Sequence, residues 1–217
     1  MHPLALPICI TLFALFVLYI VLYLGPRRAA MRAEHHVFLD LETYSTRPNA
    51  AILAIGAVCV NILGEEVGRI KLLINVKDAM KNGHVDPGTV KWWEEQSDEA
   101  KRLTFNDGER FMLADALAKY YAWHKELGQV EGVWGNGATA DCIWLRSAYT
   151  TVSGEFTPGC PWDFWQERDV RTVVALGWLA KLPDHKKELT FKGTPHNCVD
   201  DAAHQARYTT KLIRGLL

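Results

Sequence analysis

The chain has 217 residues, of which 49% are hydrophobic, so it can build a full core for one domain of ordinary size. Its formal net charge of −1 argues against a protein that coats long nucleic acid through counterion release, but not against an enzyme that grips one or two nucleotides through a metal. Its five cysteines are scattered, without a Cys-x-x-Cys pair, so they support neither a disulfide framework nor a thiolate zinc site and fit a reducing compartment.

The N-terminus carries an uncharged apolar stretch over residues 4–24, which as a helix would span about 30 Å, the thickness of a bilayer core. The basic cluster that ends it predicts a single-pass membrane protein whose remaining chain lies in the cytoplasm. We therefore expect an apolar segment and basic linker over 1–33 and a separate domain over 34–217. A cleaved signal peptide fits less well, because no Lys or Arg precedes the long apolar run. The alternative is translation from Met31, which would give a soluble cytoplasmic protein.

The next element is an apolar strand, predicted over residues 36–43, that carries two acids one residue apart. Side chains alternate between the faces of a strand, so Asp40 and Glu42 project on the same side as Phe38. At about 3.3 Å per residue their Cα atoms lie about 6.6 Å apart, close enough for both carboxylates to reach one divalent ion or an adjacent pair. The alternative is that the strand ends at Asp40, with Glu42 and Thr43 solvated in the following loop.

Strands predicted over 51–63 and 67–76 continue the first strand as an antiparallel meander. Further along, helices alternate with short strands and with loops over 151–161 and 182–194. One predicted helix begins at Pro87, and four others cover 109–127, 140–149, 170–180 and 198–214. The predicted short strands cover 130–134 and 164–169. This order predicts an α/β fold, with a mixed sheet of about five strands and helices on both faces.

Two further acids stand at the starts of predicted helices. Asp141 follows a Gly-rich turn, where its carboxylate would point back to the C-terminal edge of the preceding strand, the edge at which open α/β sheets bind ligands. Asp201 lies in the first turn of the final helix, with His196 five residues upstream. The alternative is purely structural: Asn197 caps this helix, and Asp200 and Asp201 complement its dipole.

Together these motifs resemble the DEDDh exonucleases, whose fold is that of ribonuclease H. The resemblance covers residues 37–217 and leaves out the apolar N-terminus. Within that superfamily the chain is similar to the phage and bacterial 3′-5′ exoribonuclease-like proteins labelled exonuclease VIII. Five sequence islands in the family's order carry the similarity, at residues 39–43, 91–93, 134–138, 168–172 and 196–202.

The resemblance implies a metal-dependent 3′-5′ exonuclease that hydrolyses single-stranded RNA or DNA from its 3′ end to nucleoside 5′-monophosphates. It implies two divalent cations, Mg²⁺ or Mn²⁺, a pair that can supply a hydroxide, neutralise the phosphate and help the departing sugar oxygen. By the same resemblance Asp40 bridges both ions, Glu42 and Asp201 complete the site of the water-activating ion, and Asp141 serves the second. His196 would take the proton of the attacking water.

Neighbours of these residues are candidates for substrate contacts. Thr43, Tyr44 and Asn136 sit beside proposed ligands, and Trp92 offers an aromatic face for a base, unless it is the one of the pair with Trp93 that faces the core. Two other functions stay open: an endonucleolytic relative on the same fold, and a membrane-tethered module that binds metal and nucleic acid without cleavage. The choice of RNA or DNA also stays open, as does the oligomeric state, a homodimer included.

Overall fold

The computed structural model of the protein describes residues 12–13, 15–19, 22–23, 25, 34–152 and 159–217. The strands of the domain are β1 (His35–Thr43), β2 (Ile52–Asn61), β3 (Glu66–Ile74), β4 (Arg110–Phe111), β5 (Val130–Gly135) and β6 (Glu167–Asp169). Its helices are α1 (Val76–Asn82), α2 (Pro87–Glu94), α3 (Asp98–Lys101), α4 (Leu113–Glu126), α5 (Asp141–Val152), α6 (Val170–Leu179), α7 (His185–Glu188) and α8 (Cys198–Leu216). A π-helical segment (Arg102–Asn106) follows α3, and a 3-10 turn (Phe164–Gln166) precedes β6.

The strands form one mixed sheet in the order β4-β3-β2-β1-β5-β6. β1, β2 and β3 pair antiparallel, as the predicted meander, while β5 is parallel to β1 and β6 is parallel to β5. The predicted mixed sheet is confirmed, but the described part of the chain gives it six strands instead of five. The additional strand is β4, which pairs in parallel with Leu73 and Ile74. Two residues are too few for alternation to reveal a strand, so the sequence predicts helix there.

Apolar side chains cover both faces of the sheet, as β1 illustrates. Val37, Leu39 and Leu41 lie in a core cluster that includes side chains of α4 and α5. Phe38 lies in a second cluster, which includes side chains of α6 and α8. Helices therefore cover both faces, as predicted, and the residues of β1 that alternate with the first cluster face α8.

Two short helices lie where the sequence predicts a strand end and a loop. α1 begins after Asn75, whose side chain accepts the backbone N–H groups of Lys77 and Asp78, so this cap ends β3 early. α7 lies inside the predicted loop over 182–194. The predicted loop over 151–161 is only partly tested, because α5 continues to Val152 and residues 153–158 lie outside the described ones.

The predicted membrane-spanning helix is corrected. Crossing a bilayer takes about 20 continuous residues of apolar helix. No helix among the described residues meets that requirement of length and apolar character, so the predicted single-pass membrane location is contradicted. Within residues 4–24, the longest helical run that the structure describes covers residues 15–19. The rest of that stretch, apart from residues 12–13 and 22–23, lies outside the described residues, as does the linker over 26–33.

Candidate active site

β1 carries the first two acids to the face of the sheet that α8 covers. The register places Asp40 opposite Gly56 of β2 and Glu42 opposite Ala54. Asp40 is half-buried and Glu42 is buried. The strand therefore continues through both acids to Thr43, and the alternative in which Glu42 belongs to a solvated loop does not hold.

Gly56 allows the start of α8 to lie against the sheet at this point. A Cβ atom on Gly56 would stand 2.4 Å from the carbonyl carbon of Cys198 and 2.5 Å from the backbone nitrogen of Val199. Real Cβ atoms do not approach other atoms so closely, so only glycine fits here. The close approach brings Asp201, in the first turn of α8, beside the acids of β1.

Three carboxylates meet as a result. Asp40, Glu42 and Asp201 each offer an oxygen, and these oxygens lie within 4.8 Å of one another. Burial raises the pKa of all three groups above their ordinary values. Repulsion adds to this, since Asp141, Glu42 and Asp201 raise the pKa of Asp40, and Asp201 and Asp141 raise that of Glu42. The cluster is therefore a site that a cation would stabilise.

Asp141, the first residue of α5, lies beside the cluster but is held differently. Its Oδ1 accepts the backbone N–H of Leu41 at 3.0 Å, and its Oδ2 accepts that of Asn136 at 2.9 Å. Burial raises its pKa, and these backbone hydrogen bonds work against that rise. Both carboxylate oxygens of Asp141 thus already have partners, whereas Glu42 and Asp201 each keep one buried oxygen without a hydrogen-bond partner.

His196 lies in the loop that leads into α8. Its backbone is left-handed, with φ of 62°, and its ring meets that of Trp92 edge to face, with centroids 5.0 Å apart. The carboxylate of Asp200 secures this loop by accepting the Thr194 N–H at 3.0 Å and the Asn197 side-chain amide at 2.6 Å. The backbone N–H of His196 donates to the carboxyl of Asp201 and, with a smaller electrostatic effect of the His196 side chain, lowers the pKa of that carboxyl. The structure therefore brings His196 to the edge of the acid cluster.

A cavity of about 500 Å³ opens beside Glu42, and Thr43 and Trp92 are among its lining residues. Trp92 is 41% exposed, whereas Trp93 is buried and donates its indole N–H to the carbonyl of Thr43 at 3.0 Å. Trp93 is thus the core member of the pair. Trp92 is the exposed member, and its ring contacts those of Trp93 and His196.

The other two predicted contacts have partners in the protein. Tyr44 stacks on Phe105, with ring centroids 5.8 Å apart. Asn136 accepts a long hydrogen bond of 3.4 Å from the guanidinium of Arg171. Asn136 lies directly after β5, on the side of the site where Asp141 is held.

Sequence reasoning missed two polar side chains of the site. Gln205 donates its amide to Oδ1 of Asp40 at 2.8 Å. Lys71 pairs in register with Gly56, and its charge lowers the pKa of Glu42 against the effect of burial. The signals for them were the spacing of four residues from Asp201 to Gln205 and the charge that interrupts an apolar face of β3.

The residues present fit a divalent metal. The donors are all carboxylate oxygens, which hard cations such as Mg²⁺ and Mn²⁺ prefer. Glu42 Oε1 and Asp201 Oδ2 are buried without a hydrogen-bond partner. Since buried polar atoms normally find partners, these two oxygens are available as ligands.

A family model described as the 3′-5′ exoribonuclease Rv2179c-like domain matches residues 35–213. A search of curated proteins finds no significant match. The structure is similar to that of the nuclease domain of 3′hExo, a DEDDh family member, bound to rAMP. The TM-score is 0.55 and the sequence identity is 15%, and the match covers 84% of this chain and 92% of that chain. A full-length 3′-exonuclease gives a TM-score of 0.54 and 13% identity over 84% of this chain and 61% of that chain. These similarities confirm the predicted ribonuclease H-like fold.

Proposed function

The chain belongs to the Rv2179c-like family of 3′-5′ exoribonuclease domains and is a metal-dependent 3′-5′ exonuclease, and from this premise we propose that it shortens single-stranded RNA from the 3′ end. Each cycle would release one nucleoside 5′-monophosphate. The family's description as exoribonuclease supports RNA over DNA. The observation that carries the proposal is the set of three facing carboxylates with a histidine at its edge and an open cavity beside it.

Asp40, Glu42 and Asp201 would hold the divalent cations directly, as their converging oxygens suggest. We assign Asp141 to the second ion through water, because both of its oxygens accept backbone N–H groups. Two bound Mg²⁺ or Mn²⁺ ions would supply the acidity that activates water and would neutralise charge on the phosphate. Lys71 balances part of the negative charge while the ions are absent.

His196 would act as the general base that takes a proton from the attacking water. Its position at the edge of the cluster supports this role. Trp92 holds the imidazole ring from one side, which limits the orientations that the ring can adopt. Asp200 would support the same role indirectly, because its hydrogen bonds secure the loop that carries His196.

The 3′-terminal nucleotide would occupy the cavity beside Glu42. Trp92 supplies an exposed ring on which a base of any type can stack. Thr43 lines the same cavity. Tyr44, which stacks on Phe105, would stabilise the chain next to Thr43. Asn136, whose backbone N–H donates to Asp141, is a further proposed contact.

A product ladder tests the proposal. A 5′-labelled single-stranded RNA of about 20 nucleotides and the DNA of the same sequence are incubated with the full chain and Mg²⁺ or Mn²⁺. We expect products that shorten by one nucleotide at a time, faster from RNA than from DNA, and no products when the 3′ end carries an inverted nucleotide. Cleavage of the blocked RNA would indicate an endonuclease instead. No metal-dependent products from either substrate would refute the proposed function.

A further inference from the structure

Gln205 lies one turn after Asp201 on α8, underneath the acid cluster. Its side chain is buried, with 4% exposure, and its Nε2 donates to Oδ1 of Asp40 at 2.8 Å. The two residues are 165 positions apart in the sequence. This bond therefore links β1 to α8, the two elements that supply the three facing carboxylates.

The oxygen of the Gln205 amide makes no hydrogen bond to the described residues. This oxygen, Oε1, is buried. A buried amide oxygen without a partner costs stability, and an apolar side chain of the same length would avoid that cost. The hydrogen bond to Asp40 is therefore the interaction that the amide provides and that such an apolar side chain could not.

We propose that Gln205 is a positioning residue for metal binding: its amide fixes one oxygen of Asp40 and leaves the other to the divalent cations. This inference rests on the proposed function. An amide suits the task because it donates a hydrogen bond without carrying charge. A lysine or arginine here would orient the carboxylate equally well, but its positive charge would compete with the cations for the same site.

The position of Gln205 on α8 adds a second effect. Residues four apart share one face of a helix, so Gln205 and Asp201 both face β1. The bond from Gln205 to Asp40 therefore also sets the separation between the carboxylates of Asp40 and Asp201. Partners of this kind around a metal site typically change affinity by about 10- to 100-fold when they are removed.

The test compares two glutamines that make the same kind of bond. Gln205→Met keeps the length of the side chain and removes the amide. Gln129→Met is the matched control, because Gln129 also donates to a carboxylate, that of Glu131 at 2.6 Å, but on the exposed surface. Full-length proteins are titrated calorimetrically with Mn²⁺, and their thermal unfolding is followed without metal.

We expect Gln205→Met to bind Mn²⁺ about 10- to 100-fold more weakly and to regain most of its turnover at saturating Mn²⁺. Its unfolding temperature without metal reflects two opposing effects, the lost hydrogen bond to Asp40 and the removed unpaired amide oxygen. Gln129→Met should match the wild type in every measurement. Gln205→Leu serves as a second apolar variant if Gln205→Met does not fold.

Unchanged Mn²⁺ affinity in Gln205→Met would overturn the proposal. So would a lower unfolding temperature without a change in affinity, because that pattern indicates a purely structural role. These outcomes leave the proposed function intact, provided that the wild-type protein binds Mn²⁺ and degrades RNA. A wild-type protein that does neither would refute the proposed function itself.

Discussion

Gly56→Ala should disable the site although Gly56 offers no chemistry of its own. The added methyl group would stand 2.4 Å from the carbonyl carbon of Cys198, where ordinary contacts begin near 3.4 Å. The first turn of α8 must therefore move by about 1 Å, and it carries Asp201 with it. Overpacking of this kind costs roughly 1–3 kcal/mol of stability. A displacement of about 1 Å can lower a catalytic rate about 100-fold.

The assay compares kcat/KM on labelled RNA, Mn²⁺ affinity and the unfolding temperature. Gly68→Ala, in β3 of the same sheet, is the matched control, because its nearest neighbour, the indole nitrogen of Trp123, would lie 3.7 Å from the new Cβ. We expect Gly56→Ala to lose most of its activity and much of its Mn²⁺ affinity, while Gly68→Ala stays close to the wild type. Wild-type activity and Mn²⁺ affinity in Gly56→Ala would refute the argument that this close approach assembles the site.

Four further predictions concern Asp40, the histidine, the acid cluster as a whole and the exposed tryptophan. Asp40→Asn should abolish nearly all hydrolysis and Mn²⁺ binding, whereas His196→Ala should lower turnover by about 10²- to 10⁴-fold and leave Mn²⁺ binding largely intact. The stability of metal-free wild-type protein relative to metal-free Asp40→Asn should fall as pH rises above about 4, because raised carboxyl pKa values keep protons on the folded state that the unfolded chain releases. Trp92→Ala should raise the KM for RNA, since stacking of one base contributes roughly 1–3 kcal/mol.

Each of these predictions has a result that contradicts it. Loss of Mn²⁺ binding in His196→Ala would make the histidine a ligand instead of a base. If denaturant unfolding shows that this stability difference between wild type and Asp40→Asn does not change with pH, the acid cluster does not destabilise the metal-free fold. Trp178→Ala, a change at a tryptophan on α6 that is 60% exposed, is the control for Trp92→Ala. An equal KM in both variants would remove Trp92 from the substrate cavity.

The local part of the site could be predicted from the sequence. Asp40 and Glu42 share a face because strands have a period of two, and the structure confirms the strand that carries them. The resemblance to DEDDh exonucleases is also confirmed, and so are the fold and the exonuclease activity that it implies. Motifs of this kind can be recognised because each combines a fixed spacing with a helix start or a strand end.

Contacts between distant elements could not be predicted in the same way. The importance of Gly56 depends on how closely α8 approaches β2, and that of Gln205 depends on a bond across 165 residues. The sequence likewise gives no sign that both carboxylate oxygens of Asp141 accept hydrogen bonds from the backbone N–H groups of Leu41 and Asn136. Such facts follow from tertiary packing, which neither periodicity nor residue type encodes locally.

The membrane prediction failed for a related reason. Hydropathy reports only that residues 4–24 are apolar, whereas crossing a bilayer also requires a continuous helix of about 20 residues. The part of the chain that the structure describes contains no helix that meets both conditions.

Anomalous diffraction from crystals of the full chain soaked in Mn²⁺ tests the central claim most directly. We predict two neighbouring manganese peaks among the carboxylates of Asp40, Glu42 and Asp201, with the peak nearer to Asp141 bound to that side chain through water. In Asp40→Asn crystals soaked in the same way, both peaks should be lost. An empty acid cluster in the wild-type crystals, or manganese bound only elsewhere on the protein, would contradict the account.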